Sequence, residues 1–111
     1  MSGTIKQTRW ENKIAIVDVA GDVDMHTSAD LQKGFQEILK QKPEKIVVNL
    51  SEVPYMDSSG VASLVKLLGS SRKSKIDMSL CGLSKRVKAV FDITRLTTVF
   101  KICESEAEAI G

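Results

Sequence analysis

Apolar and polar positions along this 111-residue chain change period several times, and each change marks an element. Ile5, Gln7 and Arg9 form a weak alternating segment, read as a short strand. Trp10 to Lys13 supplies turn chemistry, and Ile14-Ala15-Ile16-Val17-Asp18-Val19 follows as a second strand rich in β-branched residues. The short gap predicts an antiparallel hairpin. Gly21 to His26 reads as a loop, with Thr27 or Ser28 as N-cap and Thr27/Asp30 imitating a capping box. Leu31, Phe35, Ile38 and Leu39 then share one helical face. That helix must stop near Lys40 or Gln41, because Lys42 precedes Pro43.

Ile46-Val47-Val48-Asn49-Leu50 is almost continuously apolar, as a central strand covered on both faces would be. Ser51 to Asp57 reads as a loop. From Ser58 the helical period returns through Val61, Leu64, Val65 and Leu68, with Leu67 beside that stripe, and Gly69-Ser70-Ser71 is expected to end it. Ile76, Met78 and Leu80 alternate with Asp77 and Ser79, the pattern of a half-buried strand. Leu83, Val87, Val90 and Phe91 mark a short helix with Ser84 near its start. Thr98 to Ile102 reads as a last short strand, and Glu104 to Ile110 as a short acidic helix. The order β-β-α-β-α-β-α-β-α predicts an α/β fold: a mixed sheet opened by a hairpin, with about four helices.

Length and composition narrow the class. A chain of 111 residues fits one domain with a real core of its own. Sixteen basic against fourteen acidic residues leave a net charge of +2, which argues against a general nucleic-acid binder. No apolar run reaches the roughly 20 residues a bilayer demands. Met1 to Gln7 has no apolar signal core, so no direct membrane insertion is expected. Two cysteines, Cys81 and Cys103, make no disulfide framework and suit a reducing, cytoplasmic compartment. The small net charge conceals an asymmetry. Residues 1–60 hold 7 basic and 9 acidic side chains, residues 61–103 hold 9 and 2, and residues 104–111 add three glutamates. The basic middle is read first as solvated helix faces and second as a docking surface for an acidic protein.

Catalytic chemistry finds little support. His26 is the only histidine, and a triad of Ser58, His26 and Asp24 has no nucleophile elbow around the serine. Cys81 and Cys103 lack metal-ligand spacing, and no phosphate-binding glycine loop is present. No cofactor and no metal is expected, and the protein is read as non-enzymatic. The informative stretch is Tyr55-Met56-Asp57-Ser58-Ser59-Gly60-Val61-Ala62, between a buried strand and an amphipathic helix. Its plainest reading is a helix start, because Asp57, Ser58 and Ser59 are all capping types. It also carries one hydroxyl more than a cap needs, at the strand end where α/β sheets place ligands and modifications. A phosphate on Ser58 would meet free backbone N–H groups and the positive end of the helix dipole.

These segments resemble a known family. Gly21-Asp22-Val23-Asp24, then Asn49-Leu50 with Met56-Asp57-Ser58-Ser59-Gly60, then Leu83 to Leu96 are similar in order and spacing to the STAS domain of small bacterial anti-sigma factor antagonists. The resemblance implies a STAS fold over nearly all of residues 5–110 and a role in partner switching. The unphosphorylated antagonist would bind an anti-sigma factor, freeing a sigma factor. That anti-sigma factor would also be an ATP-dependent serine kinase, and a metal-dependent serine phosphatase would reset the switch. By the resemblance Ser58 is the phosphoacceptor. Asp57, Ser59 and Gly60 shape its loop, and Asp24, Met25 and His26 lie beside it at the partner surface. Ala62 departs from the glycine common in sigma-pathway members. The resemblance extends to an alternative role, an accessory subunit on the ATPase of a lipid-transport ABC system, and to signalling adaptors outside sigma control.

Overall fold

The computed structural model describes residues 4–111. The opening hairpin is longer than its sequence pattern suggests. β1 (Thr4–Glu11) runs through Trp10 and Glu11, and β2 (Ile14–Ala20) returns antiparallel to it. Only Asn12 and Lys13 remain for the turn. Asn12 adopts φ 58°, a left-handed conformation that asparagine tolerates better than most residues.

α1 (Ser28–Lys40) buries Leu31, Phe35 and Ile38. Thr27 is its N-cap by position, but the expected capping box does not form. The Thr27 hydroxyl accepts the N–H of Asp24 at 3.0 Å and donates to the carbonyl of Asp22 at 3.2 Å. It is spent on the preceding loop rather than on the helix. β3 (Lys45–Glu52) extends two residues beyond the predicted apolar run. α2 (Ser58–Lys73) passes straight through Gly69-Ser70-Ser71. Ser71 is buried there, and a side chain at Gly69 would face open space, so the glycine marks no turn. Val65 is 41% exposed, and Leu67 takes the core position instead.

β4 (Asp77–Cys81) buries Ser79 as well as Met78 and Leu80, so both of its faces are covered. α3 (Lys85–Ile93) starts at Ser84, whose hydroxyl accepts the N–H of Val87 at 3.1 Å. The segment expected to be the last strand is a turn through Thr98. The N–H groups of Val99 and Phe100 both donate to the carbonyl of Leu96. This seats Phe100 edge-on against Phe91, ring centroids 5.5 Å apart. β5 is only Ile102–Cys103, and α4 (Glu106–Ile110) follows it.

The sheet order is β1-β2-β3-β4-β5, antiparallel at the hairpin and parallel elsewhere. α1, α2 and α3 pack on one face, over Ala15, Val17, Val19, Ile46, Val48, Leu50, Met78 and Leu80. The other face carries Ile16, Val47, Cys81 and Cys103, covered by Ala109 and Ile110 of α4. Beside the start of α4, polar groups take over. Asp18, 6% exposed, accepts from Gln7 (2.8 Å), from Arg9 (2.7 and 2.8 Å) and from Asn49 (3.1 Å). Arg9 also pairs with Glu106 and so ties α4 to the hairpin. No described helix is long and apolar enough to cross a membrane.

Candidate functional site

Because β2 and β3 are parallel, their carboxyl ends deliver two loops to the same edge of the sheet. The loop after β2 carries Asp22 to His26, and the loop after β3 carries Val53 to Asp57. An isolated parallel bridge, Val23 to Met56, stitches them together beyond the strands. In it the N–H of Val23 donates to the carbonyl of Tyr55 at 3.0 Å, and the N–H of Asp57 donates to the carbonyl of Val23 at 3.1 Å. Val23 and Met56 are both buried. The Asp24–His26 and Asp57–Gly60 segments, 30 residues apart in sequence, therefore form one surface.

Within the second segment the roles divide cleanly. Asp57 is the N-cap of α2: one carboxylate oxygen accepts the N–H groups of Ser59 at 2.8 Å and Gly60 at 3.2 Å. Ser58, the first helical residue, is exposed and caps nothing. Ser59 is half-buried, and its carbonyl accepts the Ser63 hydroxyl at 3.1 Å. Gly60 is buried where helix and loop meet. A β-carbon there would lie 2.6 Å from Cγ of Met56 and 2.7 Å from Cγ1 of Val23. Two of the N–H groups expected to be free for a phosphate, those of Ser59 and Gly60, are thus already taken by the Asp57 carboxylate. The helix start holds an anion of its own making. Ala62, the departure from the family pattern, is exposed and touches no packing decision.

In the first segment Asp24 is a loop anchor. One of its carboxylate oxygens accepts the N–H of His26 at 2.8 Å, and its carbonyl accepts the N–H groups of Thr27 and Ser28. The His26 ring makes no hydrogen bond to Asp24 or Ser58 among the described residues. Met25 is 71% exposed and His26 is exposed beside it. No group of three His, Cys, Asp or Glu residues among those described is arranged to hold a metal.

Two neighbours, Tyr55 and Val23, were visible in the sequence but not read as part of the site. Tyr55 is 39% exposed on the second loop, and the Arg86 guanidinium lies over its ring, 5.9 Å from the centroid. This contact brings the basic start of α3 to the flank of the Ser58 loop. Val23, read only as one letter of a loop motif, is the buried pivot joining both loops. The family model of the STAS domain matches residues 6–109. The chain belongs to the STAS domain family of anti-sigma factor antagonists. The anti-sigma-B factor antagonist of Listeria monocytogenes serovar 1/2a is 31% identical to this STAS domain over 93 residues, covering 84% of this chain and 82% of the relative. A solved anti-sigma factor antagonist from Mycobacterium paratuberculosis superposes with a TM-score of 0.89 at 20% identity, covering 98% and 92% of the two chains. The Bacillus cell fate determinant SpoIIAA in its phosphorylated form gives 0.71 at 21% identity, covering 94% and 95%. The fold of these structures is the five-stranded mixed sheet and four helices described above.

Proposed function

We infer that this STAS domain is a partner-switching anti-sigma factor antagonist, turned off by phosphorylation of Ser58. One observation carries the reading: Asp57 caps α2 alone, which leaves the exposed Ser58 hydroxyl with no structural duty at the front of the helix. Met25 and Tyr55 supply exposed apolar groups on the two bridged loops, and His26, Asp24 and Arg86 supply polar ones. Such a mixture of apolar anchors and a polar rim suits a protein partner. A phosphate at Ser58 adds about 1.5 to 2 negative charges and three acceptor oxygens. The neighbouring Asp57 carboxylate and its occupied N–H groups turn that charge outward, into the interface. Because each ~1.4 kcal/mol is tenfold in affinity, one desolvated, unpaired phosphate there suffices to end a complex.

The partner is then an anti-sigma factor with ATP-dependent serine kinase activity, acting in the cytoplasm, and a metal-dependent serine phosphatase reverses the modification. ATP and the metal belong to those partners. The relatives' names and the phosphorylated form of SpoIIAA support this reading. The test is to incubate the protein and Ser58→Ala with an anti-sigma factor serine kinase from the same organism and ATP. Intact mass should show one phosphate on the wild type and none on the variant, and only the unmodified protein should be retained by the immobilised kinase. Equal phosphorylation of both proteins would overturn the assignment.

A further inference from the structure

Cys81 and Cys103 play no part in the Ser58 surface, yet the fold places them side by side. They are register partners on the neighbouring parallel strands β4 and β5. Both are free thiols, both are buried, and both point to the face covered by α4, in one cluster with Ile16, Val47 and Ala109. Adjacent strands run about 4.8 Å apart, inside the roughly 4.4–6.8 Å between α-carbons that a disulfide spans. The two thiols differ in access. Cys103 stands on the edge strand β5 and is 6% exposed. Cys81, on the inner strand β4, is 1% exposed.

We propose that Cys103 is an oxidation site for small hydroperoxides and that Cys81 is its resolving thiol, so that the pair closes to an intramolecular disulfide. In the first step the Cys103 sulfur attacks one peroxide oxygen. The O–O bond breaks, Cys103 becomes a sulfenic acid and water leaves with the thiol proton. In the second step the Cys81 sulfur attacks the Cys103 sulfur. The S–O bond breaks, the S–S bond forms, and the Cys81 proton leaves with the hydroxyl as a second water. Two thiols and one hydrogen peroxide give one disulfide and two waters. The order of events follows from access: Cys103 is on the edge strand and is the more exposed of the two, whereas Cys81 is enclosed on the inner strand β4. Burial pushes the Cys81 thiol up to about 11, with Glu106 adding to the effect, which keeps it inert toward oxidants in solution. Its fixed position beside Cys103 replaces reactivity with proximity. The bond would fasten β5, held to β4 by only two register pairs, to the sheet.

The experiment treats the full chain with hydrogen peroxide, alkylates the remaining thiols under denaturing conditions, and maps peptides without reduction. The expected result is a loss of two hydrogens in intact mass (~2 Da), no alkylation, and one cross-linked peptide pair holding Cys81 and Cys103 in a monomer, reversed by dithiothreitol. Cys81→Ser should stop at a Cys103 sulfenic acid captured by dimedone. Cys103→Ser should lose oxidation at Cys81. Thiols still alkylatable after peroxide, disulfides between two chains, or Cys81 oxidised at an unchanged rate in Cys103→Ser would each overturn the proposal. The wild-type mapping alone decides it if a variant does not fold.

Discussion

Gly60 and Val23 are packed so closely that a single added carbon would not fit between them: a β-carbon on Gly60 would sit 2.7 Å from Cγ1 of Val23 and 3.1 Å from its carbonyl oxygen. This contact locks the start of α2 against the loop after β2. It lets one bridge, Val23 to Met56, hold both halves of the candidate interface in register. The glycine in the motif is therefore a packing requirement of the surface that presents Ser58.

Gly60→Ala should accordingly destabilise the fold, against the usual benefit of alanine in a helix. Overpacking of this kind costs about 1–3 kcal/mol, more than the ~1 kcal/mol that helix propensity returns. Val23 and Met56 must give way, since both of their close atoms lie under 3.0 Å from the new carbon. Urea unfolding should show a lower midpoint with unchanged slope. An equal or higher midpoint would mean that the loops are free to move apart.

Asp18 predicts an acid-sensitive joint on the opposite face. Hydrogen bonds from Arg9 hold its carboxyl below the ordinary carboxylate range, outweighing desolvation, which pushes the other way, and Gln7 and Asn49 add to the lowering. A depressed folded-state pKa contributes stability above the unfolded value of about 3.9, and that contribution is lost as pH falls through the folded value. Wild type should therefore lose stability below about pH 4, and Asp18→Asn should flatten that part of the pH profile. Arg9→Met strands a buried carboxylate and also releases Glu106 of α4. A loss of about 1–3 kcal/mol is expected at pH 7. Thermal unfolding across pH 2–7 reads both effects.

The parts of the fold legible in the sequence were those where the local apolar pattern matches the burial. Leu31, Phe35 and Ile38 keep to the one buried face of α1, and the continuous run Ile46-Val47-Val48 on β3 is buried on both faces of the sheet. The misreadings came where tertiary contacts overrode local signals. Gly69-Ser70-Ser71 looked like a stop but runs on as helix, because the exposed glycine meets nothing and Ser71 is taken into the core. Thr98 to Phe100 looked like a strand, but Phe100 is wanted edge-on against Phe91 and the chain turns to deliver it. At the candidate site the motif residues were visible one by one, and their division of labour was not. No local pattern could show that Asp57 takes the cap, that Thr27 is consumed by its own loop, or that Arg86 reaches Tyr55 across 31 positions.

The Arg86–Tyr55 contact makes a prediction about binding rather than folding. An exposed cation–π pair is worth about 0.5–1 kcal/mol, so Arg86→Ala and Tyr55→Leu should leave the unfolding midpoint nearly unchanged. If the flank of the Ser58 loop meets the partner, both variants should weaken capture by the kinase partner, because residues of these two types are often binding anchors. A matched substitution remote from the loops, Lys73→Ala at the end of α2, should not. Equal binding by all three would confine the interface to Met25, His26 and the serine loop itself.

Asp57 and Ser58 are adjacent, and their substitutions should separate a structural role from a switching one. Asp57→Ala removes the carboxylate that holds the N–H groups of Ser59 and Gly60, a loss of about 1 kcal/mol typical of an N-cap. It should lower stability with or without a partner. Ser58→Ala removes an exposed hydroxyl that caps nothing, so stability should stay within about 0.5 kcal/mol of wild type, while phosphorylation is lost and partner binding persists in the presence of ATP. Ser58→Asp places a charge where the phosphate would go. Asp57 stands beside it, but a carboxylate in the first turn also favours the helix dipole, so the fold should be little affected. Partner binding should fall. Calorimetric unfolding and partner titration of the three variants give the comparison. If Ser58→Ala were as destabilising as Asp57→Ala, Ser58 would be a second cap, and the hydroxyl would not be free to act as a switch.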